Sequence, residues 1–138
     1  MDNQNDVIVK IHDLIRWLET NGGSQDMHGI TEKLNQLATT SYWFAETVAD
    51  ANAAMNNAEA NYKALVARSV SGAQVPTAKA ERLAEVEFEP QRKQFIEWKN
   101  LYTATRLKLE RIDRILDSFR QRVSVVKMLE VKHSINDI

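Results

Sequence analysis

The feature that most constrains this chain is a run from Ile30 to Leu65 in which apolar or small residues recur at steps of four and three without a break. The positions are Ile30, Leu34, Leu37, Ser41, Phe44, Val48, Ala51, Met55, Ala58, Tyr62 and Leu65. Such steps keep side chains along one edge of a single long helix, whereas a strand requires a period of two. An apolar edge of that length must be covered, and a second helix with the same repeat covers it best. Ser41, Ala51 and Ala58 lie in the seam, and Ala45, Ala49, Ala53, Ala54 and Ala60 lie near it. Alanine favours the helix but buries little area, so the seam suits close approach of a partner more than a thick core. Thr39-Thr40-Ser41 is the weak point, a candidate kink or break.

A second seam answers the first. Phe95, Trp98, Tyr102, Thr105, Leu109, Ile112, Leu116, Phe119, Val123 and Val126 repeat the alternation, and Leu101, Ile115, Val125 and Leu129 widen the apolar face. Pro90 interrupts the segment before it, because proline removes a helical hydrogen bond and clashes with the preceding turn. The pattern therefore predicts a short helix over 77–87, a bend at Phe88-Glu89-Pro90, and a long helix over 90–133 with Pro90 in its first turn. Upstream, Val7, Ile11, Leu14 and Leu18 predict a helix over 4–20, ended by Asn21-Gly22-Gly23. Ser24 to Gly29 reads as a loop, and the long seam as a helix over 30–68. Gly72 and Pro76 mark Ser69–Pro76 as a linker, with Thr77 a candidate cap. Ser134–Ile138 is expected to fray. The expected fold is all-α: a single helical domain over 1–138, built as a long antiparallel coiled-coil-like hairpin with a short N-terminal helix, and oligomeric.

Composition narrows the function classes. Only 4 Gly and 2 Pro are present, and Cys is absent. Disulfide and thiolate chemistry are thereby excluded, which suits a reducing compartment. MDNQNDVIVK lacks a basic signal region, and no apolar stretch approaches the roughly 20 residues a membrane span needs. A cytoplasmic protein with no membrane partner is expected. His12, His28 and His133 are scattered, and no zinc, phosphate-loop, nucleophile-elbow or dinucleotide motif occurs. No catalytic residue, cofactor or metal is expected, and the chain does not read as an enzyme.

The formal net charge is −1, but its distribution is uneven. Between Gln91 and His133 there are eleven bases and five acids, a net of +6, against −7 for the rest of the chain. Arg92, Lys99, Arg106, Arg120 and Lys127 share one heptad position beside the seam, where only Asp113 breaks the series. The flanks of the Ile30–Leu65 seam carry mainly neutral or basic residues, with Glu59 their one acid. Two readings follow. The stripe is solvated or meets acids of another subunit, its stems covering apolar surface, or it holds phosphates. Glu81, Glu85, Glu87 and Glu89 read as a solvated helix start, or as acids for the basic stripe of a neighbouring chain. Phe44, Phe95, Trp98 and Tyr102 read as seam residues rather than base-stacking platforms. Tyr42 and Trp43 lie off the seam, at a subunit interface or against the first helix.

The segment Leu109-Glu110-Arg111-Ile112-Asp113-Arg114-Ile115-Leu116-Asp117-Ser118-Phe119-Arg120-Gln121-Arg122, followed by Val125-Val126-Lys127-Met128-Leu129-Glu130, resembles the C-terminal helix of the phage UvsY-type recombination mediators. The resemblance extends over about Ser41 to His133, through the long helix with its Tyr/Trp entries and the Gly-containing loop. It does not include the first helix or the acidic Glu85–Pro90 bend. It implies a homo-oligomer without a catalytic site that binds single-stranded DNA and helps a recombinase displace single-strand-binding protein. On that footing the DNA contacts would fall to Arg92, Lys99, Arg106, Arg111, Arg114, Arg120, Arg122 and Lys127. The alternative is a helical adaptor, structural protein or inhibitor that binds another protein through its long helices.

Overall fold

The computed structural model describes residues 2–21 and 27–136, and among them every regular element is helical. α1 spans Asp2–Asn21, α2 Met27–Ser71, α3 Thr77–Glu87 and α4 Glu89–Asn136. The long helices α2 and α4 form an antiparallel hairpin. The chain divides into two compact units, one of Met1–Glu46 with Leu107–Ile138 and one of Thr47–Arg106. Both long helices pass through both units.

The first unit holds the thick core. Ile11, Leu14 and Leu18 of α1, Ile30, Leu34, Leu37 and Phe44 of α2, and Ile112, Leu116 and Phe119 of α4 are all buried. Burial of one such side chain is worth about 1.5–3 kcal/mol, so this layer dominates the unit's stability. Ser41 and Thr40 are the polar residues buried among them. The Thr40 hydroxyl donates to the Gln36 carbonyl at 2.7 Å, and Thr39 does the same to Asn35 at 3.0 Å. These back-bonds satisfy the hydroxyls within the helix. α2 therefore continues without a break through Thr39-Thr40-Ser41, the candidate weak point.

At the end of α1, the Asn21 amide donates to the Trp17 carbonyl and Thr20 to that of Arg16, both at 2.9 Å. The Gly22-Gly23 turn and most of the loop expected after it lie outside the described residues. Met27, His28 and Gly29, also expected in that loop, belong instead to the first turn of α2. Met27 is half-buried one turn before Ile30, which extends the apolar edge N-terminally.

The second unit is thinner. Its buried apolar residues are Val48 and Ala51 on α2 and Ala80 and Ala84 on α3. Small side chains let helix backbones come close, as the Ala-rich seam suggests. Met55, Tyr62 and Leu65 on α2, and Phe95, Trp98 and Tyr102 on α4, are half-buried. The linker after α2 tightens through Gly72 N–H to Arg68 O at 3.1 Å and Ala73 N–H to Val70 O at 3.2 Å. Thr77 does not cap α3. Pro76 sits at the cap position with φ −53° and ψ 143°, makes no side-chain cap bond, and accepts the Ala80 N–H at its carbonyl. The interruption at Phe88 is a single residue. Phe88 N–H reaches Ala84 O at 2.9 Å and Arg92 N–H reaches Phe88 O at 3.0 Å, so helical bonding resumes at once around Pro90.

Candidate nucleic-acid interface

All eight basic residues singled out in the sequence lie on α4, and all eight are exposed. A helix advances two turns in seven residues, so Arg92, Lys99 and Arg106 share one face in the second unit. Arg92 lies 3.9 Å from Glu89, and the Arg106 guanidinium stands 5.7 Å from the Tyr102 ring centroid. In the first unit the other five separate into three groups by phase. Arg120 and Lys127 share one flank of the buried edge. Arg111 and Arg122, eleven residues apart, share the other flank. Arg114 points away from the core and pairs with Glu110 at 3.9 Å. Arg122 lies 5.0 Å from the Phe119 ring centroid. The five therefore make two flanks and a back, rather than one stripe.

The electrostatics follow from who answers these charges. Among the described residues every ion pair joins helical neighbours three or four apart: Lys63–Glu59, Arg92–Glu89, Lys93–Glu89 and Arg114–Glu110. None crosses between helices. Exposed pairs of this kind contribute only a few tenths of a kcal/mol. Among the described residues Lys99, Arg111, Arg120 and Lys127 have no acid within ion-pair distance. Asp113, the acid that breaks the heptad series, accepts a hydrogen bond from Ser41 at 3.3 Å.

Tyr42 and Trp43 are 67% and 56% exposed and meet edge to face, with ring centroids 6.2 Å apart. Trp43 also lines an open groove of about 490 Å³ between α1 and α2, with Lys10 across from it. Leu101, Val125 and Leu129 do not widen the buried face of α4: they are 46%, 55% and 60% exposed. Only Ile115 of that set is half-buried. Glu81 and Glu85 border a second groove, of about 510 Å³, with Tyr62, Val66 and Val70 of α2. Finding either groove requires knowing which helices pack together, which heptad phase alone does not tell.

Among the described residues no group of three or more His, Asp or Glu side chains is arranged to hold a metal ion. No described helix is long and apolar enough to cross a membrane. Compared with protein-family models, curated proteins and solved structures, the chain matches none.

Proposed function

We propose that this chain is a non-catalytic accessory protein of the phage recombination type, binding single-stranded DNA along α4 and assisting recombinase loading as a homo-oligomer. The observation that carries the reading is the set of exposed bases on α4 whose ion pairs, among the described residues, all go to acids of the same helix. Phosphates supply the charge that the partner helix withholds, and releasing their counterions drives association. Weak contacts on one copy add up across a homo-oligomer. The recombinase and single-strand-binding protein enter as partners through the resemblance to UvsY-type mediators, and the place of action is the cytoplasm, that of the host for a phage-encoded chain. The exposed Tyr42–Trp43 pair favours a second reading, a helical adaptor or inhibitor that grips another protein.

Titration of labelled single-stranded DNA over a salt series separates the two. The mediator reading expects binding at low salt that weakens linearly in log–log form as salt rises. An absence of binding at low salt overturns it and leaves the adaptor reading.

A further inference from the structure

The last turns of α4 carry apolar side chains that are exposed, with none of the described residues of the first unit covering them. The Ser41–Asp113 contact sets the register of the antiparallel pair. Met27 begins α2 fourteen residues before Ser41, and fourteen residues beyond Asp113 is Lys127, so α4 runs on past the start of α2. Within this overhang Met128, Val131 and Ile135 are 62%, 58% and 64% exposed. With Ser124 they recur at steps of four, three and four, a second helical stripe turned roughly a third of a turn from the buried Ile112–Leu116–Phe119 edge. Lys127 and Lys132 flank it, one on each side.

The second unit presents the complementary surface. The groove between α2 and α3 has a floor of Tyr62, Val66, Ala67 and Val70 and a rim of Glu81 and Glu85, both exposed. Its one lining base, Lys63, is occupied by Glu59 at 2.6 Å. An apolar stripe edged with lysines thus has, in the same molecule type, an apolar groove edged with glutamates. Like surfaces repel here, because two α4 tails would bring lysine against lysine.

We infer that the C-terminal turns of α4 from one copy seat in the α2/α3 groove of a second copy, with Lys132 and Lys127 against Glu81 and Glu85. The contact is heterologous, so a joined pair still has one free tail and one free groove, and assembly continues until it closes or extends as a filament. The inference rests on the homo-oligomer part of the function proposed above; it shares Lys127 with the proposed DNA surface, so its test is run without nucleic acid.

The chain has no native cysteine, which makes disulfide trapping clean. Full-length chain carrying only Ala67→Cys is mixed with full-length chain carrying only Ser124→Cys, without nucleic acid, under mild oxidant. The expected result is a covalent dimer in the mixture and little in either alone. No dimer in the mixture, or equal cross-linking of Ser124→Cys with itself, overturns the heterologous contact. In light scattering, Glu81→Lys/Glu85→Lys is expected to lower the mass to that of a monomer, and adding Lys127→Glu/Lys132→Glu to restore it. A parent chain that is monomeric at micromolar concentration, or a reversal without effect on its mass, also overturns it. Because no DNA is present, failure of the DNA reading leaves these results unchanged.

Discussion

The Ser41 hydroxyl, buried in the seam of α2, donates to Asp113 Oδ1 on the exposed flank of α4 across 3.3 Å. This bond joins the two long helices by their polar atoms and sits beside the basic series that Asp113 interrupts. Ser41→Ala removes the donor and leaves the exposed carboxylate to water, so the cost is set by the bond alone, about 1 kcal/mol in urea unfolding. Ser41→Leu forces a larger side chain into a packed seam and should cost about 1–3 kcal/mol. A neutral result for Ser41→Leu would mean that the seam has spare room at this position.

Asp113→Asn separates structure from charge at the same place. The amide oxygen still accepts from Ser41, so unfolding should be nearly unchanged. One negative charge leaves the flank that carries Arg120 and Lys127, and affinity for single-stranded DNA should rise at low salt. Unchanged or weaker DNA binding in Asp113→Asn would argue that this flank does not meet phosphate.

The two units should respond oppositely to side-chain size. Leu37 is fully buried in the thick core, and Leu37→Ala should cost about 2–5 kcal/mol through lost transfer energy and a cavity. Ala84 is fully buried where α3 packs closely, and Ala84→Leu should cost about 1–3 kcal/mol by overpacking. Stabilisation by Ala84→Leu in denaturant melts would show that a void, not a close approach, lies under α3.

Gly72 is a case where the expected role and the observed geometry differ. Among the described residues no glycine has positive φ, and a Cβ added at Gly72 would meet the Arg68 carbonyl at 3.5 Å, an ordinary contact. The residue therefore does not need glycine's conformational freedom. Gly72→Ala should stabilise the chain by about 0.4–1 kcal/mol by narrowing the unfolded ensemble. A fall in thermal midpoint would reveal a constraint at the α2 terminus that the Cβ geometry does not contain.

Periodicity made the helical class and the α2 edge legible, because the apolar side chains that define a seam are those that packing hides. Leu34, Leu37, Phe44, Val48 and Ala51 are buried as their spacing requires. The same rule misleads where a partner stops. Val126 continues the α4 seam in sequence, yet it is 39% exposed, since burial needs an opposing helix as well as the right phase. Thr39-Thr40 reads as a break because threonine favours helix weakly, but back-bonding to the preceding turn removes the polar penalty. The charge series was visible as a heptad position. The shortage of acids on the facing flanks was legible in the same way, and among the described residues every ion pair is indeed local to its own helix.

That locality makes the charge reversal Lys99→Glu/Arg106→Glu/Arg120→Glu, which leaves the lysines of the proposed subunit contact in place, the most direct mutational test of the proposed DNA surface. All three side chains are exposed and none lies in an ion pair among the described residues, so the helical circular-dichroism signal should persist. Arg106 gives up its approach to the Tyr102 ring, worth about 0.5–1 kcal/mol at an exposed site. Each lost phosphate contact should reduce the log–log salt slope for single strands by about 0.7, so the triple variant should lose about 2 from the slope and most of its affinity. Lys10→Glu/Arg16→Glu/Lys63→Glu, three exposed bases on α1 and α2, changes net charge by the same amount and is the matched control, which should leave the slope unchanged. Equal losses in both variants would make binding a response to net charge alone, and α4 would then hold no dedicated surface.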